Sequence, residues 1–442
     1  MGAPPGQRAV ADPAGPLVQP VANQPIYTVY PVVSFPSAHR RLPDARAGEG
    51  DLSAVPAGPA VEKGPVMKRT RLGLLALSGL ALLGVTGFAT GPAGASEPGA
   101  ANAAARRPGH DGPVIVGHRG APGYRPEHTL ASYELAYRMG VDYVDVDLVP
   151  TKDGQLVARH EPEIGGTTDV AARPEFASRK TTKVIDGVSA TGWFTEDFTL
   201  AELKTLYAKE RIPANRPNNR MYDGRYRIAT YQEVLDLTRD LGRELHRTLG
   251  TYPEVKHSTY FASIGNPVDP KLVAILDRNH LNRPNAPVVI QSFEVSNLKA
   301  LRKQVRVPLL QLTEGKGAPA DFVANGDKRT YADLVTPAGL REIATYAAYL
   351  GPEKGQIIPR DAQGNLGKPT TLIADAHHAG LQVQPYTFRN ENPFLPANLR
   401  SSASPSDFGD VFAEEEAFLK AGVDGFFADQ PDTALQAVRD YR

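Results

Sequence analysis

Two histidines and three carboxylates stand in this chain at spacings that suit acid–base chemistry beside a bound cation. Asp145 and Asp147 lie two apart in the apolar run Tyr143–Leu148, so a strand there sends both side chains to the same side of its sheet. Glu254 and Lys256 repeat the spacing, as do Tyr386 and Phe388. Carboxylates buried side by side are costly through desolvation and mutual repulsion, and a divalent cation removes that cost. Oxygen ligands without cysteine suit a hard ion rather than zinc, with Ca²⁺ favoured and Mg²⁺ the second choice. The competing reading of an isolated D-x-D is plainer: Asp145 and Asp147 cap the following turn or pair with Lys152, because the pattern is short and common.

The histidines shift the balance. His118 sits in Gly117-His118-Arg119-Gly120 and His160 in Arg159-His160-Glu161, each just after a strand-like segment. A phosphodiester needs a base for the attacking oxygen and an acid for the leaving one, and histidine serves both roles near neutral pH. Arg119 through its fork and Lys256 as a point charge would hold the phosphate. His110, His257, His377 and His378 are read as ordinary hydrogen-bonded residues. Gln291 fits either a pocket wall or the core.

Groups so far apart in sequence need a scaffold that brings strand ends together. From Pro113 onward, short apolar runs alternate with helical stretches. Strands are expected at Val114–Val116, Tyr143–Leu148, Thr251–Val255, Val288–Gln291, Leu309–Leu312, Gln356–Ile358, Leu381–Tyr386 and Gly425–Ala428. Between them lie helices such as Thr129–Met139, stopped by Gly140, and Tyr231–Leu241, Leu272–Asn279 and Phe412–Ala421. This alternation predicts an α/β fold with a parallel sheet. Seven to nine repeats fit a closed (β/α)8 TIM barrel better than an open sheet, with closure left open by the sequence; in a barrel the loops after the strands form the active face. The polar stretch of about residues 162–227, with Trp193 and Tyr222, breaks the rhythm and reads as an insertion after the second strand.

Composition narrows the partners. Of 442 residues, 41% are hydrophobic and 22% charged, so the chain can bury a core. Lys plus Arg equals Asp plus Glu at 49 each, and no basic stripe offers the clustered charge that nucleic-acid binding requires. With no cysteine, disulfides, thiolate metal sites and thiol nucleophiles are excluded. Residues 1–66 are rich in Pro, Ala and Gly and lack periodicity. Met67-Lys68-Arg69-Thr70-Arg71, the apolar run Leu72–Phe88 and Ala93-Gly94-Ala95 then spell a secretory signal peptide over 67–95, and 96–112 reads as a linker. The simplest account is that translation starts at Met67 and 1–66 is an artefact. The alternative is a genuine tail with Leu72–Phe88 as an uncleaved membrane anchor. Either way the domain 113–442 is expected outside the cell, touching membrane only through that segment.

Gly117-His118-Arg119-Gly120-Ala121-Pro122-Gly123-Tyr124-Arg125-Pro126-Glu127-His128-Thr129 closely resembles the opening motif of glycerophosphodiester phosphodiesterases, especially the secreted and periplasmic bacterial branch. The resemblance continues through Gly140–Asp147, Thr151–Gly154, Arg159–Glu161, Tyr252–Lys256, Pro385–Arg389 and Gly422–Asp429. It implies the same barrel, with His118 and His160 as general acid and base. It implies metal ligation by Asp145, Asp147 and Glu254, with Arg119 and Lys256 at the phosphate. The implied reaction releases glycerol 3-phosphate and an alcohol from a small glycerophosphodiester, teichoic acid included. The chain departs from the family pattern at Asp145, where Glu is usual, at Glu161, where Asp is usual, and at Ala229-Thr230, where Pro-Thr is frequent. Rival readings are a sphingomyelinase D-like lipase, which the missing disulfides disfavour, and a surface protein that binds glycerophosphate without turnover. Aromatics such as Tyr386 and Phe388, with the insertion, are expected to shape the head-group pocket.

Overall fold

The computed structural model describes residues 112–442. The expected signal peptide, nearly all of the linker, residues 1–66 and His110 therefore lie outside the described residues. No helix among the described residues is long and apolar enough to cross a membrane.

Strand β1 (Val114–Gly117) leads to the helix Leu130–Met139, which Thr129 caps by accepting from the Ser132 amide and Gly140 ends. Strand β2 (Tyr143–Pro150) pairs in parallel with β1, and its far end folds back on the short antiparallel β3 (Leu156–Ala158). The chain then leaves the barrel. Its excursion carries the hairpin β4 (Thr181–Ile185) and β5 (Val188–Gly192), closed by Asp186-Gly187 with φ of 49° and 82°. That dipeptide suits a two-residue hairpin turn, where both positions need positive φ. It rejoins at Thr230, whose capping box with Glu233 starts the helix Tyr231–Glu244.

Strands β6 (Gly250–Val255), β7 (Ile290–Ser292), β8 (Leu309–Thr313), β9 (Tyr349–Pro352), β10 (Gln382–Val383) and β11 (Gly425–Ala428) complete the sheet. Its order is β10-β9-β8-β7-β6-β2-β1-β11, parallel apart from β3. Main-chain bonds across the last gap, Asp424 N–H to Val383 O at 2.9 Å and Phe388 N–H to Phe427 O at 2.8 Å, draw the ends together into a nearly closed barrel. Alternate strand residues divide between two packing layers. Val116, Tyr252, Leu310, Tyr349 and Phe427 belong to a small cluster, whereas Ile115, Leu309 and Phe426 join the larger core packed by the helices.

Two expected strands are corrected. Gln356–Ile358 falls largely in the one-turn helix Lys354–Ile357, and the strand of that repeat is Tyr349–Pro352. A pair of isoleucines fits either state, and here Ile357 serves as a buried helix residue. Of Leu381–Tyr386, only Gln382–Val383 joins the ladder, although Tyr386 makes an isolated bridge to Glu353.

Candidate active site

The neighbouring strands β1 and β11 set up the first pairing at the site. The rung Gly117–Ala428 sets the next residues of β1 and β11 side by side, and His118 Nδ1 lies 2.5 Å from Asp429 Oδ1. A carboxylate at Nδ1 selects the tautomer with that nitrogen protonated, leaving Nε2 available for chemistry. Burial and neighbouring Arg119 hold His118 down at about 4, with Asp429 pulling the other way. Asp429 also accepts from Arg216 Nη2 at 2.6 Å and Arg389 Nε at 2.8 Å, and these cations help keep it ionised.

His160 is built on the same plan from local sequence. Its Nδ1 lies 2.9 Å from Glu161 Oε1. Burial, then Arg119 and Lys256, push it down to about 3 against the pull of Glu161. Both imidazoles line one cleft together with Arg119 and the carboxylates Asp145, Asp147 and Glu254. The cleft has a volume of about 270 Å³, at the small end of small-molecule sites.

The three carboxylates each place an oxygen within 4.8 Å of the others. Asp147 and Glu254 face each other across the parallel β2–β6 rung, and Asp145 lies one pleat earlier on the same face. Neither Asp145 nor Asp147 pairs with Lys152. Instead Asp145 accepts from the Arg119 amide at 3.1 Å and Gln291 Nε2 at 2.5 Å. Asp147 Oδ2 takes His128 Nε2 at 2.9 Å, while buried Oδ1 has no hydrogen-bond partner. Burial, reinforced by Asp147 and Glu254, pushes Asp145 well above the usual carboxylate range. Burial also raises Glu254 to about 8, although Lys256 opposes it. An unpartnered buried oxygen and two carboxyls that resist ionising are what a cation-binding set shows without its cation, so the residues fit a hard divalent ion.

The other expected positions divide. Arg119 lines the cleft, its Nη1 bonded to Glu127 at 3.1 Å. Lys256 is not among the cleft-lining residues; its ammonium lies 3.0 Å from Glu254 Oε1, at the edge of the carboxylate set. Gln291 is both wall and scaffold, since it lines the cleft and holds Asp145. Tyr386 lines the cleft, but Phe388 does not: it is buried against Phe418 and Phe426. His377 pairs with Asp424 and His378 ends an ordinary helix.

Sequence reading assigned no role to His128, Asp429 or Arg216. His128 is fully buried, held by Tyr133 at 2.7 Å, and fixes one oxygen of Asp147. Its signal was present in the opening motif, next to Glu127. Arg216 comes from the excursion and bonds Glu391 and Asp429, both at 2.6 Å, so it bolts the insertion to the His118 side of the barrel. Replacing Arg216 by methionine should therefore destabilise the protein by about 3–5 kcal/mol, because it leaves Glu391 buried without its cation. Urea unfolding of the variant measures this, and a loss below about 1 kcal/mol would show that the bolt is not structural.

The sequence model of the Glycerophosphoryl diester phosphodiesterase family matches residues 118–433. A glycerophosphodiester phosphodiesterase of Arabidopsis thaliana is 34% identical over 330 residues, covering 72% of this chain and 83% of its own length. One from Haemophilus influenzae is 28% identical over 353 residues, covering 74% and 90%. Among solved structures, a glycerophosphoryl diester phosphodiesterase of Silicibacter pomeroyi superposes with a TM-score of 0.53 at 20% identity, covering 75% of this chain and 95% of its own.

Proposed function

We propose, from the premise that this chain belongs to the glycerophosphoryl diester phosphodiesterase family, that it hydrolyses glycerophosphodiesters to sn-glycerol 3-phosphate and an alcohol, using His118 and His160 and a divalent cation held by Asp145, Asp147 and Glu254. The observation that carries this reading is the meeting, in one cleft, of two carboxylate-backed histidines and a buried carboxylate triad.

The division of labour follows from the electrostatics. Both imidazoles are neutral in the free protein and each keeps Nε2 for the cleft, so either can take the proton of an attacking oxygen. Asp429 and Glu161 then stabilise the imidazolium that forms. The negative charge of a bound phosphodiester favours the protonated form of the other imidazole, which gives its proton to the leaving alkoxide. Arg119 adds a fixed positive charge at the cleft, and Lys256 lies behind Glu254. A bound divalent ion would supply Lewis-acid stabilisation of the charge gathering on phosphate oxygen.

Glycerophosphocholine is the first substrate to try, with polyglycerophosphate as a stand-in for teichoic acid. Glycerol 3-phosphate should appear with Ca²⁺ or Mg²⁺ and stop with EDTA. No release with either ion, from folded protein, would refute the reading. Export of the domain is part of the same proposal, supported by the basic, apolar and small-residue order over 67–95.

A further inference from the structure

We propose that the hairpin β4–β5 is a positioning device for His160, acting through Asp186, His257 and Glu161. The idea rests on the reading above, in which His160 moves a proton. Four side chains form one line from the excursion to the cleft. Asp186 Oδ2 lies 2.6 Å from His257 Nδ1, His257 Nε2 lies 3.2 Å from Glu161 Oε2, and Glu161 Oε1 lies 2.9 Å from His160 Nδ1. No two of the three segments involved are neighbours in sequence, so the line exists only because the hairpin folds over the barrel.

The charges alternate along it. Burial alone would keep His257 neutral, but its bonds to Asp186 and Glu161 raise it to about 9, so it is a cation at neutral pH. The other charged group acting on His257 is the neighbouring Lys256, which opposes its charge. A cation clamped between two carboxylates fixes Glu161, which by itself is a half-exposed, three-torsion side chain. With one oxygen held by His257, the other has a fixed place from which to accept the His160 Nδ1–H. The backbone is committed to this arrangement: Asp186 (φ 49°) and His257 (φ 50°) both occupy the left-handed region, which non-glycine residues enter at a cost. In this account Asp186 and His257 are positioning residues, and neither lines the catalytic cleft.

Two substitutions test the line while respecting the backbone, since asparagine tolerates positive φ. Asp186→Asn leaves an Asn-Gly turn and removes only the charge. His257→Asn is too short to bridge. In each, kcat on glycerophosphocholine should fall about tenfold or more, as for other residues that orient a catalytic ligand. KM, the metal midpoint and the melting temperature should stay put, and neither change should add to His160→Ala. Asp186→Glu should recover part of the rate. Wild-type kcat in both variants overturns the proposal, as does a loss of kcat that tracks a loss of melting temperature. Nitrogen-15 NMR of His160 separates this test from the fate of the enzymatic reading. Wild-type protein should show Nδ1 protonated, and Asp186→Asn a mixture of tautomers. An unchanged tautomer in the variant overturns the line even if the protein turns over no diester at all.

Discussion

Replacing His118 by alanine is expected to lower kcat on glycerophosphocholine by about 10²- to 10⁴-fold, the usual worth of a positioned acid or base, with the melting temperature nearly unchanged. The second half follows from Asp429. That carboxylate is buried, and stripping a buried charge of its partner normally unfolds a protein. Here Arg216 and Arg389 both remain on its other oxygen, so the loss of the imidazole leaves Asp429 paired. The variant separates chemistry from folding cleanly. Steady-state rates and a thermal melt on the same sample decide it; a rate within twofold of the parent would remove His118 from the mechanism.

The second large effect concerns the carboxylate set. Without a cation, Glu254 carries a pKa of about 8 in the folded protein against 4.5 for the unreacted group. A folded value raised above the unfolded one contributes stability that is fully present below about 4.5 and is lost as pH rises through about 8. Metal-free protein should therefore melt at progressively lower temperature between these limits. Saturating Ca²⁺ or Mg²⁺ should reverse the trend, because an ion that binds only the folded form stabilises it by about 2.7 kcal/mol at a hundredfold excess over Kd, roughly 5 °C here. Glu254→Gln should uncouple the two. It keeps the side chain's size, removes the repulsion with Asp147, and should melt higher than the metal-free parent at pH 8 while gaining little from added ion. Turnover should vanish in the same variant. Calorimetry across pH with and without EDTA tests all of this, and a metal-free parent as stable at pH 8 as at pH 5 would contradict it.

Much of this was legible from local pattern. The D-x-D of β2 and the Glu254-Val255-Lys256 segment announce which side chains share a face, because strand periodicity is a property of consecutive residues. Helix ends such as Thr129 and Gly140 are equally local. What stayed hidden depends on closure and on the excursion. Tyr349–Pro352 ends in Gly-Pro, which reads as a breaker, and the nearby Gln356–Ile358 offered a competing apolar run. Asp429 could not be matched to His118, since nothing in either segment refers to the other. The role proposed for His257 depends on where a hairpin some seventy residues earlier comes to rest, and its local sequence reads as that of an ordinary hydrogen-bonded histidine. Phe388 shares a strand face with Tyr386 by count, yet it lies beyond the two-residue strand Gln382–Val383, on an isolated bridge to Ala428, and packs outward against Phe418.

The bond between His118 and Asp429 spans 311 positions of the chain, between residues immediately following the first and last barrel strands. A polypeptide still being threaded or synthesised thus owns its carboxylate triad and both imidazoles long before it owns a correctly set pair of them. On the proposed reading that pair is complete only once β11 lies beside β1. A molecule ending just before Gly425 would lose, of the described helices, only Pro431–Tyr441, yet on the proposed reading its His118 would lack the carboxylate that sets its tautomer. Completion of the ring is thereby a built-in licence to act.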